Sequence, residues 1–289
     1  MYYLLSLLTG VLISVMIAFN GGLTEQYGVY SATVIIHVAG LLMTLVILAA
    51  KREWPFAKAQ AWFLYLGGAI GVVTTVFNCL AFGRISVSSI LALGLFGQSV
   101  TGLVIDQYGL LDMPRHPFKK RKILGLLLIL CGIASMTNEF DLLPVILSFA
   151  TGVTIVVSRT TNARLAENTS VLSSTFFNYI IGIIVAVPVC LAFGRGEPAF
   201  TGFAFSPNIV IYLGGIAGVC VVLLSNVTVA RVSAFFLSLL VFIGQVFSGL
   251  LVDMVLSQTF SPRNMIGATF VTAGLCVNLL LDRKAAPTP

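Results

Sequence analysis

The chain has 289 residues, 58% of them hydrophobic and 9% charged, with a net charge of +6 and a mean hydropathy of +1.05. A soluble domain carries about 25% charged residues, so the composition excludes one and describes an integral membrane protein. The positive charge does not point to nucleic acid, because the Lys and Arg residues sit between apolar runs and form no stripe interleaved with exposed aromatics.

Ten segments are long and apolar enough to cross about 30 Å of hydrocarbon, which takes about 20 residues of helix. In chain order they are 2–22, 30–50, 62–82, 86–106, 121–138, 143–162, 171–193, 208–230, 233–256 and 264–281. Lipid offers the backbone no hydrogen-bond partner and nothing alternates with a period of two, so the spans are helices. The first run lacks a basic leader and a small-residue cleavage site, and is expected to be a retained span. Tyr2, Tyr3, Trp54 and Trp62 fall at span ends, in the interfacial belt. Asp141 with Pro144 predicts a capped start of the sixth span, and Pro188 predicts a kink in the seventh. The five cysteines lie in apolar runs without a Cys-x-x-Cys pair and read as small buried hydrophobes.

Orientation follows from the basic residues. Lys51, Arg52, Lys58, Arg115, Lys119, Lys120, Arg121, Lys122, Arg164, Arg231, Arg283 and Lys284 collect on one side, against Arg84, Arg195 and Arg263 on the other. Both termini are therefore expected in the cytoplasm.

The chain is also a duplication. Thr9-Gly10-Val11 returns as Thr151-Gly152-Val153, and Asn20, Leu23 and Glu25 return as Asn162, Leu165 and Glu167. Tyr65-Leu66-Gly67-Gly68 with Gly71 returns as Tyr212-Leu213-Gly214-Gly215 with Gly218, and Arg84-x-Ser86 as Arg231-x-Ser233. Gly97-Gln98 with Gly102, Leu103 and Asp106 returns as Gly244-Gln245 with Gly249, Leu250 and Asp253. Arg121, Gly125 and Gly132 return as Arg263, Gly267 and Gly274. The halves are expected at 1–140 and 141–289. Five spans each, an odd number, would set the second half upside down, the arrangement of many secondary transporters.

Polar groups inside such spans are costly and mark candidate sites. Gln98 and Gln245 are candidates for a substrate pathway, with an interhelical hydrogen bond as the alternative. Asn20 and Asn162 are expected at the ends of the first helix of each half, as caps, packing groups or cavity-facing groups. His37 and its counterpart Tyr179 are further pathway candidates, read chiefly as interior hydrogen-bonding groups. Asp106 and Asp253, near opposite mouths, are read chiefly as boundary carboxylates at the headgroup level, with gating or coupling as the functional alternative. Arg159, Asn78, Asn178 and Asn226 are additional intramembrane polar groups, and Arg159 is expected to snorkel to the cytoplasmic surface. Gly67-x-x-x-Gly71, Gly214-x-x-x-Gly218 and the pairs Gly125/Gly132 and Gly267/Gly274 read as helix-packing seams. No catalytic constellation, metal-ligand spacing or phosphate-cradling motif is present, so neither an enzyme nor a cofactor is expected.

The Gly-Gly-x-x-Gly of the third span (Gly67, Gly68, Gly71), the Gly-Gln-x-x-x-Gly-Leu-x-x-Asp of the fourth and the Arg-x-x-x-Gly opening the fifth (Arg121, Gly125) carry a resemblance. All three recur in the second half. The chain resembles the drug/metabolite transporter superfamily and, more narrowly, its YdcZ-like inner-membrane exporters. The resemblance implies an all-α polytopic protein of ten transmembrane helices, two inverted five-helix repeats around a central cavity that opens alternately to each side. It implies export of a small organic solute across a bacterial inner membrane, with the lipid bilayer and a coupling ion, the proton being the candidate, as further partners. It is also similar to the small multidrug-resistance proteins, which carry a glutamate in the first helix. Here the first span has Ser6, Thr9, Ser14 and Asn20 and no acid, which speaks against proton exchange by the same device. Monomer and homodimer both stay open, since the fusion removes the need to pair two chains. The alternative function is a non-transporting membrane component that binds lipid or assists assembly.

Overall fold

A computed structural model describes residues 1–55, 59–110, 122–136, 141–229, 234–258 and 261–283. Its helices are α1 (Tyr2–Tyr27), α2 (Val29–Lys51), α3 (Leu66–Ala81), α4 (Val87–Tyr108), α5 (Lys122–Met136) and α6 (Leu142–Asn168). They continue with α7 (Val171–Phe193), the short α8 (Pro198–Thr201), α9 (Gly214–Val229), α10 (Ala234–Ser257) and α11 (Pro262–Arg283). Single 3-10 turns at Trp62–Tyr65 and Ile209–Leu213 lead into α3 and α9. Among the described residues no strand occurs, and seven helices are long and apolar enough to cross a membrane.

Each expected span overlaps a helix, but those at 121–138, 208–230 and 264–281 meet α5, α9 and α11, which are not among the seven; α5 has 15 residues and α9 has 16. The other differences lie at the ends. α1 has 26 residues and α6 has 27, so both run on past the 20 or so that hydrocarbon requires. Asn20 and Asn162 are therefore inside helices and cap nothing. Hydropathy measures where lipid ends; the backbone ladder continues into the interface. α7 continues through Pro188 to Phe193. Caps form where polar residues permit: Ser86 and Ser170 accept from the amides of Ser89 and Ser173 at the starts of α4 and α7. Asp141 Oδ1 accepts from Leu143 N, as expected of a helix start. Gly28, at φ 93°, turns the chain between α1 and α2 in a conformation that side chains avoid.

The chain forms two compact units, and neither coincides with a sequence half. One comprises Met1–Ser14, Gly83–Val153 and Leu224–Pro289; the other comprises Val15–Phe82 and Thr154–Leu223. The first unit packs α4, α5, α10 and α11. Ala92, Leu93, Ile129, Ile133, Met136 and Val271 form one apolar core, and Leu95, Val246, Leu250 and Ala268 another. Glycines set its closest crossings. Gly125 lies against Gly274 and Asn278, and Gly132 against Gly267 and Val271. As α5 ascends its partners on α11 descend, so the two helices are antiparallel and approach backbone to backbone. In the second unit α2 and α3 pack on α7, with Leu48, Leu172 and Phe176 between α2 and α7, while Leu23, Tyr27, Ala32, Ile36, Cys79 and Ile211 join α1, α2, α3 and the turn before α9.

Candidate functional site

The glutamine motifs occupy helix crossings. Gly97 on α4 lies against the Phe149 carbonyl and Gly152 of α6, and Gly152 in turn lies against Gly94 and the Gln98 amide. On the matching elements, Gly244 of α10 lies against Leu7 and Gly10 of α1, and Gly10 against Val241 and the Gln245 amide. Each glutamine thus follows the glycine that lets two backbones touch, at a fixed point of its unit. Gln98 is half-buried and Gln245 buried. Neither side-chain amide has a hydrogen-bond partner among the described residues. An amide left unmatched inside a span is what a solute or water would complete.

The asparagines play a second matched role. Asn162 presses its Oδ1 on Gly67 of α3, and Asn20 presses its Oδ1 on Gly214 of α9. Both oxygens are buried without a conventional donor, so each seats on the bare Cα of a glycine in the weak C–H···O manner. Asn162 also donates to Asn178 Oδ1 at 2.8 Å and to Ser158 Oγ at 3.4 Å. The next glycines repeat the pattern, Gly68 against the Asn178 backbone and Gly215 against Ile36 and Gly40. Gly67→Ala should destabilise the protein, because the added methyl meets the Asn162 amide. Adding Asn162→Ala should restore part of the loss, a non-additivity read from thermal unfolding of the two single variants and the double.

His37 and Tyr179 meet where α2 crosses α7. Their rings stand edge to face with centroids 6.0 Å apart. His37 covers Gly182 while Tyr179 covers Gly40, its counterpart in the other repeat. His37 Nδ1 lies 2.8 Å from the Thr33 carbonyl, and Tyr179 donates to the Gly215 carbonyl at 3.3 Å. Both are buried. The pair closes a helix crossing.

Asp253 closes a different joint. Its carboxylate accepts from Val87 N at 2.6 Å and Ser88 N at 3.0 Å, so the end of α10 caps the start of α4. The Asp106 side chain lies outside the described residues, as do those of Arg231, Ser233 and Asn226. Glu197 was invisible in the hydropathy pattern. It accepts from Tyr30 N (2.8 Å), Ser31 N (2.9 Å) and Ser31 Oγ (2.7 Å), capping α2 from the segment after α7. The available signal was a lone acid before a proline in a glycine-rich turn whose other charge is Arg195. Among the described residues no group of His, Cys, Asp and Glu is placed to hold a metal.

The family model described as "Putative inner membrane exporter, YdcZ" matches the chain twice, over residues 1–135 and 143–277. No curated protein matches it. Twelve chains of solved structures do. One, described only as the crystal structure of a protein, has a TM-score of 0.65 at 15% identity, covering 98% of each chain. At that identity the likeness is one of fold. With nearly all its residues taken up by two copies of one family pattern and its helices apolar enough to lie in lipid, the chain is a multi-pass membrane protein that belongs to the YdcZ family of inner membrane exporters.

Proposed function

We propose that the protein is a secondary transporter that moves a small organic solute out of the cytoplasm by alternating access. In this reading the two repeats are inverted relative to each other and both termini are cytoplasmic. The observation that carries it is the reciprocity of equivalent contacts. α5 and α11 hold the same place in the two repeats and run antiparallel, with Gly125 on Gly274 and Gly132 on Gly267. α2 and α7 do the same through Gly40 with Tyr179 and Gly182 with His37. Equivalent helices that meet antiparallel are what an inverted duplication produces. The unmatched amides of Gln98 and Gln245 supply groups that a passing solute could engage, in place of reactive side chains.

Two measurements test this. A reporter fused to the C-terminus that works only outside the cytoplasm should stay silent; activity would overturn the orientation and the inversion with it. Purified protein in sealed vesicles should exchange at least one solute of a broad metabolite panel, and Gln98→Ala with Gln245→Ala should slow it at least tenfold while the protein stays folded. Folded wild type that exchanges nothing would sink the transporter reading.

A further inference from the structure

In the second unit α3 and α6 meet along a polar seam. Ser158 Oγ donates to the Gly67 carbonyl at 2.8 Å, and the hydroxyls of Thr74 and Thr154 lie 2.8 Å apart. Gly67 is therefore opposite Ser158 and Thr74 opposite Thr154, with the two helices antiparallel. α7 closes a third side. Asn178 Oδ1 accepts from Asn162 Nδ2 at 2.8 Å, and a methyl added to Gly71 would stand 3.7 Å from that oxygen and 4.0 Å from Ser158 Oγ. These contacts tie Thr74, Thr154, Ser158, Asn162 and Asn178 into one patch around Gly71.

The fold does not need this patch. In the other repeat the places of Thr74, Thr154, Ser158 and Asn178 hold Val221, Leu12, Met16 and Ile36, and only Asn162 has a like counterpart, in Asn20. Equivalent helices are therefore built once with apolar side chains and once with hydroxyls and an amide. Space differs as well. A methyl on Gly71 would meet only ordinary contacts, whereas one on Gly218 would meet the Tyr179 hydroxyl and Met16 Sδ at 2.9 and 3.5 Å.

What the patch offers a guest is specific. The Ser158 proton goes to the Gly67 carbonyl and the Thr74 hydroxyl donates to the Ile70 carbonyl at 3.0 Å, so each of these oxygens keeps a lone pair to accept with. Asn178 Nδ2 has no partner among the described residues and supplies an N–H. Thr74, Thr154 and Asn178 are half-buried, within reach of a solute yet inside membrane helices. No member of the patch is charged. Arg159, next to Ser158 in sequence, is exposed and lies about 100° round α6 from it. An ion placed at the patch would give up its water without meeting a counter-charge. A solute hydroxyl, donor and acceptor in one, completes both kinds of vacancy.

We propose that this patch seats an uncharged polyhydroxylated solute, a polyol or sugar, with Asn178 donating to one of its hydroxyls and Thr74 and Ser158 accepting from others. The proposal rests on the transporter reading and gives it a substrate class. Purified protein in detergent is titrated with ribitol, mannitol and glucose. The same solutes are tested for exchange across sealed vesicles, with succinate and tetraphenylphosphonium as charged comparisons. At least one neutral solute should exchange, and should raise Tm saturably at millimolar concentration, unlike the unsaturating effect of an excluded osmolyte. Thr74→Val with Thr154→Leu, which installs the residues of the other repeat, should raise the half-saturating concentration at least tenfold. Its Tm without solute should be unchanged or higher. Asn178→Ile should weaken binding in the same way, and Asn178→Ser, which keeps a donor, should recover part of the loss. Exchange of succinate or tetraphenylphosphonium with no response to a neutral solute would overturn this proposal and leave the transporter reading standing. A lower Tm in every variant with an unchanged half-saturating concentration would make the patch structural. Folded protein that exchanges nothing in a broad panel would sink the transporter reading and the seat with it.

Discussion

Gly97→Val should leave little folded protein, while Gly102→Val, five residues along the same helix, should be recovered at wild-type levels. A side chain at Gly97 drives into the Phe149 carbonyl and the Gly152 Cα, both backbone atoms that a rotamer change cannot move. At Gly102 there is nothing within 4 Å. Overpacking a tight core costs about 1–3 kcal/mol per misfit, and two helix backbones forced apart reach the upper end. Gly102→Ala should instead raise stability by about 0.5–1 kcal/mol through helix propensity. Its counterpart Gly249→Ala should not, because its methyl meets Leu91 at 2.9 Å and Ser88 Cα at 3.2 Å. Size-exclusion profiles and thermal unfolding of the four variants in detergent would check all of this. Folded Gly97→Val with an unshifted Tm would refute the crossing.

Glu197→Ala should be the most damaging single change outside the crossings, by about 2–3 kcal/mol. It strips a charged acceptor from two backbone amides and a hydroxyl at the start of α2, and leaves the Ser31 hydroxyl only the Cys190 sulfur at 3.6 Å. Hydrogen bonds to charged groups contribute about 1.5–3 kcal/mol and caps about 0.5–2. Glu197→Gln keeps an oxygen in place and should lose about half as much. Denaturant titration followed by tryptophan or circular-dichroism signal distinguishes the two variants, and equal stability of all three proteins would show the cap to be idle.

Most of the architecture was legible because lipid imposes it. Length and hydropathy pointed to the place of each long apolar helix but not to the short α8, and the repeated glycines marked crossings that the structure places at Gly97 with Gly152 and at Gly125 with Gly274. Helix ends were less legible, since α1 and α6 extend beyond the hydrocarbon by internal hydrogen bonding that hydropathy does not sense. Gln98 and Gln245 stood out as polar groups repeated in both halves, and so did Asn20 and Asn162. Identity between repeats nevertheless proved a better guide to packing than to chemistry, as the asparagines seated on Gly67 and Gly214 illustrate. Thr74, Thr154 and Ser158 drew no attention because short hydroxyls are common in apolar helices, where they bond the preceding turn; only the contrast with Val221, Leu12 and Met16 gives them meaning. Glu197 depended on a contact 166 residues away along the chain, which no local pattern encodes.

The reciprocal contacts have the form of an isologous interface, in which residue i of one copy meets j of the other and j meets i. Gly125, Gly132, Gly267 and Gly274 satisfy that condition inside one polypeptide. In a homodimer every substitution appears on both sides at once, so such an interface can change only in ways that suit it twice. Fusion lifts that restriction. His37 facing Tyr179, and Asn178 standing where the other copy has Ile36, are changes a self-pairing ancestor could not have made singly. Covalent linkage lets the two copies differ at single positions, as Arg159 of α6 and its Ile17 counterpart on α1 do.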